Sequence, residues 1–263
     1  MNTRRKKEWF DDDTFWRELY PFMFPEKRFA AAAAQTGQVL KLAKPKGKAI
    51  LDLCCGPGRW AIPLVQKGFS VTGVDRTKFL LAAARRRANA ARVKIEWVRA
   101  DMRDFLRPDS FDLVLSMLTS FGYFDRPDED RLVLRNMFAN LKAGGVCLID
   151  VAGKEQVARV YQPTSSNTLP NGDILVQRHR ITDAWSRIHN EWILVRKGRT
   201  RSFKFHHTIY SAQELSDRLT GAGFKSIRVY GSLDGDEYGS NAQRLIVVAR
   251  KPLGETAVRE KNL

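Results

Sequence analysis

Residues 48–55, KAILDLCC, form a short apolar run that stops at Gly56-Pro57-Gly58. A second run, FSVTGVD at 69–75, returns after one helical segment, RWAIPLVQKG. Two strands joined through a helix need a crossover, so they lie parallel in one sheet. The alternation continues. TKFLLAAARRRANAA (77–91) has helical spacing, VKIEWVRAD (93–101) reads as a third strand and FDLVLSML (111–118) as a fourth. A helix over about 127–142 leads to GGVCLIDV (144–151). Apolar strands alternating with helices predict an α/β fold, a parallel sheet covered on both faces.

The flanks differ. Residues 8–42 read as helices rich in Trp, Phe and Tyr. Beyond residue 152, DILVQRHRIT, RIHNEWILVRK and RSFKFHHTIY are three period-two runs, the last two joined at Lys197-Gly198-Arg199, and they predict an antiparallel meander. SAQELSDRLTGAGF opens on a capping box, Ser211 with Glu214, and two more strands, KSIRVYG and QRLIVVAR, follow. The expected organisation is a helical cap over 1–45, a core over 46–152, a β insertion over 153–210, a helix and strands over 211–252 that complete the core, and a loose polar tail over 253–263.

No apolar run reaches the roughly 20 residues a membrane span needs. The basic then acidic start, MNTRRKKEWFDDD, has no signal core behind it. Cys54, Cys55 and Cys147 are the only cysteines, an odd set that forms no disulfide framework and fits a reducing cytoplasm. Of the net charge of +16, residues 151–210 carry +6 by count, so that segment is expected to face something negative or to be a solvated basic surface.

Cys54 and Cys55 are adjacent, with no C-x-x-C and no nearby histidine, so a metal is not expected and the thiols read as packing. The glycines are different. Gly56 and Gly58 follow a strand and open a helix, where a ligand can reach backbone N–H groups. GPGRWA has the G-x-G-x-x-A spacing of a dinucleotide site, with Asp75 ending the next strand, and S-adenosylmethionine is the competing ligand. Asp52 favours the second. Its carboxylate would repel a pyrophosphate, whereas S-adenosylmethionine brings an ammonium and a sulfonium. Asp101 ends the third strand as an acceptor for an adenine amino group, and Met102 is its apolar neighbour.

These segments resemble class I S-adenosylmethionine-dependent methyltransferases, over roughly residues 15–250. The motifs that carry the resemblance are ILDLCCGPGRWAIPLVQKGFSVTGVD, ADMRDF, FDLVLSMLTSFGYF and NMFANLKAGGVCLIDV. IYSAQELSDRLTGAGF and RLIVVARK point to a broad bacterial group. The resemblance implies a Rossmann-like, doubly wound seven-stranded sheet with an N-terminal helical cap and a small antiparallel insertion. It implies that Asp52, Cys54, Gly56 and Gly58 line the methionine end of the cofactor. Asp75, followed by Arg76, takes the ribose, Asp101 and Met102 hold adenine, and Ser116 and Leu118 flank the cofactor. Cys54 stands where the family's motif usually has glycine.

The acceptor is expected between the sheet's carboxyl edge, the aromatic cap and the insertion. Tyr20, Tyr123 and His207 are the candidates to orient it or move a proton, and the loop SLDGDEYGSN (232–241) lies at the same end. A small molecule, methylated on nitrogen or oxygen and carrying a carboxylate or phosphate, is the favoured acceptor. SMLTSFGY lacks the Asn/Asp-Pro-Pro-aromatic pattern of base methylation, which puts nucleic acid behind it. RNA or protein methylation, a non-catalytic cofactor-binding partner protein and a dehydrogenase are the other readings.

Overall fold

The computed structural model describes residues 8–254; the basic start at 1–7 and the last nine residues of the expected tail lie outside the described residues. The strands of the main sheet are β1 (Ala49–Leu53), β2 (Ser70–Asp75), β3 (Glu96–Arg99), β4 (Phe111–Ser116), β5 (Leu141–Val151), β10 (Lys225–Tyr230) and β11 (Leu245–Arg250). They run in the order β10-β11-β5-β4-β1-β2-β3, with β11 antiparallel to both neighbours. From β1 the chain builds outward through β2 and β3 on one side and through β4 and β5 on the other. The point where the direction reverses leaves a crevice beyond the carboxyl ends of β1 and β4.

Both faces are covered. On one face α5 (Pro127–Asn140) and α7 (Ala212–Gly221) bury Val133, Leu134, Met137, Leu215 and Leu219 against the sheet. On the other, α2 (Glu26–Ala43) and α3 (Ala61–Gln66) bury Val39, Ala43, Ala61 and Leu64. α4 (Lys78–Ala90) packs beside β2 and β3. The capping box forms as expected: the Ser211 hydroxyl accepts from Glu214 N–H at 3.1 Å, and the Glu214 carboxylate from Ser211 N–H at 2.8 Å.

The second sheet has four strands where three were expected, in the order β6 (Thr164–Thr168), β7 (Ile174–Thr182), β8 (Arg187–Arg196), β9 (Arg199–Thr208). The added β6, Thr-Ser-Ser-Asn-Thr, is an exposed edge strand with no apolar alternation to betray it, and α6 (Lys154–Val160) before it buries no residue. Lys197 and Gly198, both at positive φ, make the tight turn between β8 and β9. This sheet does not fold on its own core. Its Leu175, Leu194, Phe203 and Phe205 form one apolar cluster with Phe15 and Leu19 of α1 (Asp13–Met23). Cap and insertion therefore close together over the crevice.

Candidate functional site

Beneath that closure lies a cavity of about 340 Å³, within the range of small-molecule sites. Strand ends make its floor: Asp52, Cys54 and Gly56 at the end of β1, Asp75 and Arg76 at the end of β2, Asp101 and Met102 after β3, Leu118 and Thr119 after β4. Trp9, Phe10, Phe15, Trp16 and Phe24 of the cap and Asn190, Trp192, Phe205 and His207 of the insertion make its walls, with Tyr123 between. A larger groove of about 760 Å³ shares Trp9, Phe10, Tyr123, Asn190 and Phe205 with it and carries Arg126, Arg178, Arg180 and Lys204 alongside Glu8, Asp125, Glu129 and Glu191.

The turn after β1 explains its own sequence. The strand stops at Leu53 rather than continuing to Cys55, because Cys54 takes φ +60° and Gly56 φ +53°. A left-handed cysteine is strained by roughly 1 kcal/mol or more, and glycine would adopt the same turn without that cost. The two glycines have separate jobs. A Cβ on Gly56 would face only the Phe24 ring, at 3.6 Å inside the cavity, whereas one on Gly58 would collide with Trp97 at 2.8 Å. Gly58 thus serves packing behind the turn and does not line the cavity. The thiols are inert by environment: burial first, then the nearby carboxylates, push Cys54 and Cys55 well above the ordinary thiol range.

Asp52 is buried, and its Oδ2 has no hydrogen-bond partner. Burial, and then the neighbouring Asp75, push it up to about 7. A bound cation favours the carboxylate over the acid, so Asp52 releases a proton as such a ligand enters. Affinity for a cationic ligand should therefore rise by up to about tenfold between pH 6 and 8, as the carboxylate fraction climbs through that value. Calorimetry at the two pH values checks this. Arg59 faces the same cavity over the Phe24 ring, 5.1 Å away, and has no ion-pair partner among the described residues. Burial, then Arg28, lower it to about 10, still a cation. A carboxylate with one unpartnered oxygen and a guanidinium without an ion-pair partner among the described residues together complement the ammonium and carboxylate of an amino-acid group.

Asp75 accepts from Gly56 N–H at 2.9 Å and from Thr77 N–H at 2.8 Å, so it ties the β1 turn to the end of β2. Asp101 is engaged more heavily. It accepts from Arg76 at 2.7 Å and from the backbone and guanidinium of Arg103 at 2.8–3.0 Å. Arg103 is buried and also pairs with Glu8 at 2.5 Å and Glu129 at 2.7 Å. Arg76 reaches Glu8 at 3.1 Å and Asp11 as well. The segment after β4 is bent the same way as the first turn, with Leu118 and Thr119 both left-handed. Asp150 holds it, its carboxylate accepting from Leu118 N–H at 3.3 Å and its carbonyl from Thr119 N–H at 2.8 Å.

Ten of the thirteen residues singled out in the sequence meet at this cavity: Asp52, Cys54, Gly56, Asp75, Arg76, Asp101, Met102, Leu118, Tyr123 and His207. Gly58, Ser116 and Tyr20 do not. Ser116 is fully buried one residue short of the wall. Tyr20 points to the far side of α1, its ring against Phe24 at 5.2 Å and Phe79 at 5.6 Å, so it backs the residue that faces Gly56. The loop acids sit elsewhere: Asp234 meets Gln38, Asp236 meets Ser232, and Tyr238 meets Glu155. Burial holds the Tyr123 phenol protonated by raising it, and burial followed by the His206 and Arg187 charges lowers His207 to about 3. His207 is a neutral ring and a weak proton acceptor. Arg59, Arg103, Asp150 and Asn190 were missed. Only Arg59, inside the GPGRWA turn, carried a local signal.

The chain matches the methyltransferase domain family over residues 50–145. YqeM of Bacillus subtilis (strain 168), which carries a methyltransferase name, is 28% identical over 219 residues, 81% of this chain and 87% of its own. The cypemycin N-terminal methyltransferase of a Streptomyces species is 28% identical over 208 residues, 78% and 84% of the two chains. Among solved structures, an S-adenosylmethionine-dependent methyltransferase from Clostridium acetobutylicum superposes with a TM-score of 0.74 at 16% identity, over 91% of this chain and 97% of that one. The sugar N-methyltransferase KedS8 from Streptoalloteichus gives 0.68 at 22% identity, over 96% and 98%.

Proposed function

We propose that this class I S-adenosylmethionine-dependent methyltransferase transfers a methyl group to nitrogen or oxygen of a small-molecule acceptor that carries an anionic end. The observation that carries the reading is the continuity of the cavity with the groove that holds Arg178 and Arg180, five residues being common to both. The bound cofactor supplies a methyl carbon activated by its sulfonium. The residues around it bind and orient. Asp52 and Arg59 hold the ammonium and carboxylate of its methionine part, Gly56 lets the backbone come close, and Asp75 takes the ribose hydroxyls. Met102 and Leu118 pack on the adenine side. Asp101, held by Arg76 and Arg103, would accept from the adenine amino group.

Cap and insertion exclude water from the reacting atoms. The Tyr123 hydroxyl, protonated throughout the physiological range, donates to the acceptor rather than taking its proton. With His207 neutral and weakly basic, a neutral amine is the nucleophile that needs least help, and a hydroxyl needs a base from outside this set. Sugar nitrogens and peptide N-termini, named for two of the similar proteins, are the first acceptors to test, using transfer of a labelled methyl group.

The anionic end is assigned to the groove. Arg180 has no ion-pair partner among the described residues, and Arg178 is held only loosely by Glu191 at 3.4 Å. Reversing both to glutamate should raise KM about tenfold for a carboxylate- or phosphate-bearing acceptor and leave a neutral one unchanged. Arg201 pairs with Glu18 outside the groove, and its reversal is the control. Equal effects on neutral and anionic acceptors would remove the anionic end from the account.

A further inference from the structure

The insertion half of the cavity differs from its floor. The charged groups that line the cavity are Asp52, Arg59, Asp75, Arg76 and Asp101, all on strand ends or the first turn. Trp9, Asn190, Trp192, Phe205 and His207 opposite them present no charge. They present unsatisfied nitrogens instead: Trp9 Nε1, Asn190 Nδ2, Trp192 Nε1 and His207 Nδ1 are buried without a hydrogen-bond partner. Trp16, beside them, donates its indole N–H to the Phe10 carbonyl at 2.9 Å, so the cap does satisfy such groups where it can.

Asn190 is the most informative of these. It is 6% exposed and lies on the inward row of β8, Ile188-Asn190-Trp192-Leu194, where every other member is apolar or aromatic. Its Oδ1 accepts from His179 Nδ1 at 2.7 Å across the β7–β8 pair. That bond leaves Nδ2, on a residue that lines the cavity, as a buried donor without a partner. A polar residue that breaks an apolar row and keeps a buried donor unpaired marks a ligand contact more readily than a packing role.

We propose that Asn190, which lines the cavity together with the unpartnered indole N–H groups of Trp9 and Trp192, is the specificity-determining donor of the acceptor site and selects an acceptor bearing an uncharged carbonyl or hydroxyl oxygen. The inference rests on the acceptor occupying this cavity, as read above. No guanidinium or ammonium lines this half, so an acceptor's carboxylate finds its partners in the groove, among cations that include Arg178 and Arg180. A protonated amine meets donors and a neutral ring and is rejected.

The test uses the full-length protein saturated with S-adenosylhomocysteine, followed by its tryptophan fluorescence, since Trp9, Trp16, Trp60 and Trp192 line the cavity. The probes are 4-hydroxybenzamide, p-cresol, 4-hydroxybenzoate and tyramine, which share a ring and differ in one substituent. The amide should bind about fivefold or more tighter than p-cresol, the increment of one hydrogen bond, with benzoate and tyramine weaker than the amide. Asn190→Leu and Asn190→Asp should each erase the amide's advantage while p-cresol affinity, homocysteine-nucleoside affinity and Tm hold. Equal binding of amide and p-cresol, tightest binding of benzoate or tyramine, an advantage that survives both substitutions, or no binding of any probe would overturn the proposal. Failure of the wild type to bind S-adenosylhomocysteine, read before any probe is added, would remove the cofactor reading first and this one with it.

Discussion

Asp75→Ala is expected to weaken S-adenosylhomocysteine binding by about 1000-fold, read by calorimetry against the wild type. The carboxylate oxygens proposed to accept from the two ribose hydroxyls disappear, and with them the bonds from Gly56 N–H and Thr77 N–H that hold the turn. Hydrogen bonds to a charged group contribute about 1.5–3 kcal/mol each, and about 4 kcal/mol corresponds to three decades in Kd. The turn would also lose its tie to β2, so Gly56 would no longer be held where a ligand can approach it. A change within threefold would mean that Asp75 only caps the turn.

The second large effect is on stability. Arg103→Leu should lower the free energy of unfolding by about 3 kcal/mol at pH 7 in urea titrations. The guanidinium is buried against the Phe124 ring at 4.1 Å and faces Glu8, Asp101 and Glu129 at once. Removing it leaves three carboxylates close together, two of which, Glu8 and Asp101, keep Arg76 beside them. Burial alone would raise Asp101, but the hydrogen bonds and charge of Arg103, then Arg76, outweigh it and hold Asp101 below its ordinary value. The stability from a lowered carboxylate is present above its unfolded value and lost as pH falls through the folded one. The gap between wild type and variant should therefore narrow in acid. A gap that is constant with pH would point to lost packing on Phe124 instead.

This network also marks the limit of reading the chain in one dimension. The parallel core was legible because buried strands such as FDLVLSML and their crossover helices impose the periodicity on the sequence itself. Three acids ending three strands identified the floor of the cavity for the same reason, since strand ends can be located without knowing what faces them. Glu8 and Arg103 stand 95 residues apart, and no local pattern announces that they meet. Asn190 was hidden differently. In RIHNEWILVRK it reads as one polar member of an alternating strand, and only the pairing with His179 reveals that it is on the inward row. Gly58 and Tyr20 illustrate the converse. Gly58 fits the ligand-loop spacing, but Trp97 fills the space its missing side chain leaves, and the rotation of α1 takes Tyr20 away from the cavity.

The proposed cofactor site requires Asp52 and Arg59 to face an amino-acid group rather than a pyrophosphate. Titrating the wild type and Asp52→Asn in parallel with S-adenosylhomocysteine and with NADH tests that directly. Saturable binding of the homocysteine nucleoside, weakened about tenfold or more by Asp52→Asn, with no binding of NADH, is the predicted result. Binding of NADH alone, or NADH binding that improves as the carboxylate is removed while the nucleoside fails to bind, would contradict it.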